Sequence, residues 1–271
     1  MALFAAGPAL ALDCPPLAGG DARELRALLA RGRVVLLGEV HGTAEAPAAV
    51  AALACRALTT GVPVTIALEL PETERARIER FLDSQGGAAA RAALVAGDLW
   101  RQSQQDGRTS VAMADLLESL RRHRNAGELR AALFDRPSAQ GSRDLAMAER
   151  LATLSDESRD RLTLVLTGNL HARIAAGAPW DPEFVPMGLH LRRLRSELDL
   201  IALDLTHEGG TAWICQGGAS GCGPVGLRGT EDAEPGLELL PATAAGLFHG
   251  RFHLGPITAS PPASGAGTAA R

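Results

Sequence analysis

The chain has 271 residues, of which 46% are hydrophobic and 21% charged, with a formal net charge of −4 at pH 7. These are the proportions of a soluble globular chain, and the acidic balance leaves no basic face for nucleic acid, so no nucleic-acid partner is expected. Tyrosine is absent, so no phenol can serve as nucleophile, acid or haem ligand, and Ala, Leu and Val must form the core.

In chain order, the first dozen residues, MALFAAGPALAL, are apolar. Ala9-Leu10-Ala11 has the form of a signal-peptidase site, although no positive residue precedes it, so residues 1–20 are expected to be a signal or export segment. No apolar run reaches eighteen residues, and no transmembrane segment is expected. A helix is expected over 21–30 with Asp21 as its N-cap, then a strand over 33–37 (RVVLL) and a helix over 44–60. A strand over 62–68 (VPVTIAL) leads to a helix over 71–83, which carries Pro71, Glu72 and Glu74 in its first turn. Helices follow over 87–96 and 111–125, a strand over 129–134 (LRAALF), a helix over 143–154 and a strand over 162–167 (LTLVLT). Such apolar runs, bounded by polar or glycine residues, suit strands covered on both faces. Their alternation with helices predicts a mostly parallel sheet with right-handed crossovers.

The last third changes character. Residues 199–206 (DLIALDLT) and 211–216 (TAWICQ) read as strands joined by His207-Glu208-Gly209-Gly210, which predicts a hairpin at the sheet edge. The expected fold is therefore α/β, a mostly parallel sheet flanked by helices with a C-terminal antiparallel hairpin at the sheet edge. The α/β domain is expected over 21–220, with an irregular extension over 221–271 that is disordered from about residue 256. Cys215 and Cys222 flank a Gly-rich turn that a disulfide closes easily, and Cys14 and Cys55 form the other available pair. The even count and the export-like start favour a periplasmic or secreted location over four reduced thiols in the cytoplasm.

Chemistry collects where the strands stop. The first runs into Gly38-Glu39-Val40-His41-Gly42, the second into Glu69-Leu70-Pro71, and the fourth into Gly168-Asn169-Leu170-His171. In open α/β sheets ligands bind outside the carboxyl ends of the strands, so Glu39, His41, Glu69 and His171 should converge. Glu39 and His41 are two apart and point the same way in an extended segment. Glu69 ends an apolar run, where a lone carboxylate needs a partner. Asp135 and Arg136 end the third strand and are expected to complete the site, one orienting a histidine and the other holding an anionic or carbonyl group. Asn169 is expected to supply an amide. His207 is assigned to turn chemistry, and His123, His190, His249 and His253 to the surface. The basic runs at Arg121–Arg124 and Arg192–Arg195 are expected to be solvated helix faces. The chain has no G-x-S-x-G, Walker loop, H-E-x-x-H or C-x-x-C.

Together LLGEVHGT, IALELP, LTGNLHAR and PMGLHL, over roughly residues 33–205, resemble the superfamily that holds erythromycin esterase, the ChaN-like haem-uptake lipoproteins and the Tiki proteases. The resemblance implies an α/β fold with its site at the strand ends, formed by Glu39, His41, Glu69 and His171. In the esterases an equivalent histidine activates water; in Tiki proteases similar residues serve a metal; in ChaN-like proteins haem binds at a dimer interface through tyrosine, which this chain lacks.

The expected function is a hydrolase of ester or amide bonds in a small molecule or peptide, with His41 as general base, Glu39 or Glu69 orienting it, and His171 polarising the substrate or acting as acid. A metal-dependent version uses the same four residues as ligands of zinc, manganese or cobalt. The alternative is a periplasmic ChaN-like protein that binds haem or metal without catalysis, haem being the less favoured ligand.

Overall fold

The structure, a computed structural model, describes residues 14–17, 22–124, 128–137, 141–216, 221–230, 233–241 and 246–265. Most of the expected export segment, Asp21 and residues 266–271 lie outside the described residues.

Strands form where β-branched and leucine residues alternate between two buried faces. They are β1 (Val34–Glu39), β2 (Val64–Pro71), β3 (Leu129–Asp135), β4 (Leu162–Gly168) and β5 (Leu200–Thr206). Four more strands follow in the C-terminal part, β6 (Gly209–Cys215), β7 (Cys222–Arg228), β8 (Gly236–Leu239) and β9 (Gly250–His253), and β10 is the pair Pro256–Ile257. Seven strands form one sheet in the order β3-β2-β4-β1-β5-β9-β8. It is parallel except for β8, which runs antiparallel to β9 at the edge.

The helices are α1 (Ala22–Leu28), α2 (Glu45–Thr59), α3 (Arg75–Leu82), α4 (Gly87–Val95), α5 (Val111–Arg124), α6 (Arg143–Glu157), α7 (Asn169–Ala172) and α8 (Met187–Leu194). On one face of the sheet Val35 and Leu37 of β1 pack with α2, α3 and α5. On the other, Val34 and Leu36 pack with α6 and α8. Adjacent strands β1 and β4 thus send their chains to opposite faces, which opens a crevice at their carboxyl ends.

The expected α/β class holds, but the edge hairpin is β8–β9, not β5–β6. Both edges of β5 are taken, by β1 and β9. Gly209 and Gly210, at φ +122° and +127°, turn the chain out of the main sheet, a conformation open to glycine. There β6 pairs with β7 and β10 in a second, three-stranded sheet.

The expected irregular extension is also corrected. Within 221–271 lie β7 to β10, and residues 256–265 are hydrogen-bonded to the loops before α2 and α5. The sparse apolar residues Leu237, Phe252 and Ile257 are all buried. Gly250, within this stretch, permits a close crossing: a methyl group there would stand 2.3 Å from the Glu238 carbonyl oxygen.

Two disulfides, Cys14–Cys55 and Cys215–Cys222, account for all four cysteines. Among the described residues no helix is long and apolar enough to cross a membrane.

Candidate functional site

Glu39 ends β1 with only 4% of its surface exposed. Two residues on, His41 places Nδ1 3.0 Å from Glu39 Oε1 and Nε2 3.7 Å from Glu69 Oε2. Gly42, at φ +81°, turns the chain away and lets β6 close over it, with the Trp213 N–H donating to the Gly42 carbonyl at 2.9 Å. Gly38 has another task. A methyl group there would meet Asn169 and Ala172 of α7 at 3.0 Å, so its absence seats the His171 turn on β1.

Glu69 is the hub. Its Oε2 accepts the Thr167 hydroxyl at 2.6 Å and the Gly168 N–H at 2.9 Å. Its Oε1 accepts Arg143 Nη2 at 2.8 Å, with Arg108 Nη1 at 3.5 Å. Asp135 carries both arginines as well, accepting Arg143 Nε and Arg108 Nη1 at 2.9 Å each. His171 Nδ1 lies 2.7 Å from Asp144 Oδ1, which also accepts the Met187 N–H at 2.8 Å. Arg143 Nη1 lies 3.1 Å from His171 Nε2. Glu39, His41, Glu69 and His171 are therefore in one cluster, from three different strand ends.

The supporting residues divide. Asp135 belongs to the cluster, but it holds arginines, not a histidine. Arg136 does not belong. Consecutive strand residues point to opposite sides, and Arg136 is exposed and pairs with Glu72 at 2.5 Å. Asn169 lines the cleft, beside Asp204 of β5. His253, expected at the surface, is 2% exposed, with Nδ1 3.0 Å from Thr206 Oγ1. The neighbouring β5 and β8 cover it from both sides.

Sequence reasoning missed Arg108, Arg143, Asp144 and Thr167. One signal was present: Arg143 opens α6, where a positive charge opposes the helix dipole and needs another reason to be there. Arg108 sits in an irregular loop and carried no such mark.

Charge in the cluster is strongly polarised. Burial works against the His41 imidazolium, but the nearby Glu69 carboxylate and the hydrogen bond to Glu39 outweigh it and raise His41 to about 10. Burial likewise opposes the Glu69 carboxylate, yet the His41 imidazolium and the Arg108 guanidinium hold it well below the usual carboxylate range. Glu39 is pushed up, first by burial and then by Glu69 and Asp106, despite its bond to His41. A cleft of about 350 Å³ opens above these groups, with Glu39, His41, Asn169 and His171 on its polar side and Leu170 and Ile214 on its apolar side.

The metal reading fits poorly. Among the described residues no group of three or more His, Cys, Asp or Glu side chains is placed to hold an ion. The guanidinium of Arg143 bridges Glu69 and His171, and a cation held by those two side chains would meet a fixed positive charge.

Comparison with solved structures turns on this fold. A histidine-to-asparagine mutant of the erythromycin esterase EreC, in its open conformation, superposes with a TM-score of 0.61 at 14% identity, over 89% of this chain and 90% of that one. The chain has an erythromycin esterase-like fold. A Bacillus cereus structural-genomics protein matches that esterase-like fold at a TM-score of 0.59 and 10% identity, covering 89% and 92% of the two chains. A succinoglycan biosynthesis protein matches it at 0.52 and 11%, covering 76% and 73%. No family model matches the sequence, and no curated protein matches it.

Proposed function

We propose that the chain is a metal-independent hydrolase of ester or amide bonds in a small molecule or peptide, with His171 as general base and then acid, and the His41 imidazolium stabilising the oxyanion. One observation carries this reading. Two histidines, each tied through Nδ1 to a buried carboxylate, face one cleft, and Arg143 reaches the Nε2 of His171 alone. An arginine can only donate, so the Arg143 contact requires His171 Nε2 to carry a lone pair and Nδ1 to carry the proton given to Asp144. His41, between Glu39 and Glu69, carries both protons at neutral pH. These roles exchange those expected from the sequence, where His41 was the base.

In the resting site Arg143 Nη1 rests on His171 Nε2. A substrate oxygen that takes over this donor frees Nε2 to accept a proton from water. The water oxygen attacks the carbonyl carbon, and the His41 imidazolium stabilises the negative oxygen that forms. Collapse breaks the bond to the leaving group, which leaves with a proton from the newly charged His171. Asp144 is a positioning residue that fixes the tautomer throughout.

The test is turnover of an ester and amide panel with chelator present. His171→Ala and His41→Ala should each lower kcat/KM by about 10²–10⁴, and Asp144→Asn by less. Full activity in both histidine variants sinks the reading. Two disulfides suit an oxidising compartment, which supports a periplasmic or secreted location.

A further inference from the structure

Residues 256–265 have the composition of a loose tail, yet they run between the two loops that carry the site's charged groups. The first loop is His41–Ala44. The Ser260 N–H donates to the Gly42 carbonyl at 2.8 Å, and the Ala44 N–H donates to the Thr258 carbonyl at 2.9 Å. Thr43 and Ala259 form an antiparallel bridge. The second loop, Gln105–Ser110, carries Arg108 and enters α5. The Val111 N–H donates to the Pro261 carbonyl at 2.8 Å, and the Ala263 N–H to the Thr109 carbonyl at 3.0 Å. The Ala112 N–H donates to Ser260 Oγ at 2.9 Å.

A helix start leaves its first N–H groups without intrahelical partners. In α5 the local cap, Ser110, accepts only the later ones, from Met113 through Oγ and from Ala114 through its carbonyl. The N–H groups of Val111 and Ala112 are met by the tail alone. Ser260 is 4% exposed and joins both loops through two of its own atoms. The loops themselves lie back to back, for a methyl group at Gly107 would stand 2.2 Å from the Gly42 nitrogen.

We propose that residues 256–265 are a strap that fixes the His41 loop against the Arg108 loop, with Ser260 as a positioning residue for the His41–Glu69–Arg108 cluster. The strap acts through backbone geometry. Through Gly42 it sets where His41 leaves β1, and through Thr109 and α5 it sets where Arg108 meets Glu69 and Asp135. The tail therefore belongs to the site's framework, although none of its side chains reaches the cleft. Its relevance to turnover rests on the hydrolase reading; its effect on His41 does not.

The experiment uses the full chain and follows the His41 imidazole by NMR through a pH titration, alongside turnover. Wild type should titrate near pH 10. Ser260→Ala removes only the hydroxyl. It should lower that midpoint by about half a unit or more, towards the ordinary value of ~6.5, and speed exchange of the Ala112 amide. Ser260→Thr, which keeps the hydroxyl, should restore both. A chain ended after residue 255 should lose the raised midpoint. If Ser260→Ala leaves the His41 midpoint and the Ala112 amide unchanged, or if Ser260→Thr fails to restore them, the role of Ser260 is overturned. A folded chain ended after 255 with a normal His41 titration would overturn the strap. Absence of turnover in every chain, with the midpoints moving as expected, would count against the hydrolase reading alone.

Discussion

A guanidinium has five N–H donors and no acceptor, and Arg143 directs three nitrogens at three different partners, Asp135, Glu69 and His171. A lysine ammonium cannot match that planar spread, so Arg143→Lys should lose part of the cluster while keeping the charge. Breaking a fully buried ion pair costs about 3–5 kcal/mol. Arg143 is 37% exposed, and solvent screening reduces this to about 2 kcal/mol for Arg143→Met, measurable by urea unfolding. His41 gives a prediction with a definite sign. Its folded value, about 10, lies above its unfolded value of ~6.5, so the folded state holds the proton more tightly. The stability it confers is fully present below pH ~6.5 and is lost as the pH rises towards 10. Unfolding free energies of wild type and His41→Asn should therefore converge between those limits. If their difference stays constant from pH 6 to pH 10, the imidazolium is not held as described. The same charge predicts an alkaline fall in kcat/KM near pH 10, shifted to lower pH in Glu69→Gln.

At the scale of elements, glycine positions separate strain from packing. Gly42 and Gly61 have similar φ values, +81° and +76°. Beyond Gly61 there is open space, whereas a methyl group at Gly42 would stand 2.2 Å from the Trp213 carbonyl oxygen. Gly61→Ala should cost about 1–2 kcal/mol, the left-handed penalty alone. Gly42→Ala adds a clash between the β1 loop and β6, and should cost clearly more, about 3 kcal/mol or above. Paired thermal denaturation curves check this, and equal losses would mean that β6 does not press on the site loop. The β6–β7 hairpin matters for the same reason, since Ile214 and Cys215 form a wall of the cleft.

At the scale of the molecule, the two disulfides close loops of very different length, 41 and 7 residues in sequence separation. On the chain-entropy account the longer should contribute about 4 kcal/mol and the shorter about 2 kcal/mol. Cys14→Ser with Cys55→Ser should therefore lower the unfolding free energy more than Cys215→Ser with Cys222→Ser. The second pair should act on the cleft, raising KM, because it secures the hairpin wall. Both effects are read from denaturant titrations and from turnover under reducing and oxidising conditions.

The parallel strands and most helices were legible because each is a local pattern: a short apolar run covered on both faces, or an apolar stripe at helical spacing. The site was legible in the same way. Glu39, Glu69 and His171 interrupt apolar runs at strand ends, where desolvation forbids a charge without partners, and strand order then brings them together. Arg108 and Asp144 left almost no trace, and Arg143 only its place at the start of α6, since the site partners Glu69 and His171 that give them meaning are 27 or more residues away in sequence. The tail was misread for a related reason. Its glycines and prolines signal disorder by composition, but their hydrogen bonds go to distant backbone, at Gly42 and Val111. The sequence by itself thus determined the parallel strands and the convergence of Glu39, His41, Glu69 and His171 at their carboxyl ends, because burial acts residue by residue. Only the tertiary structure decided which acid each histidine meets, which arginines hold the acids and which backbone the tail bonds to, because those are set by distances between segments that sequence does not order.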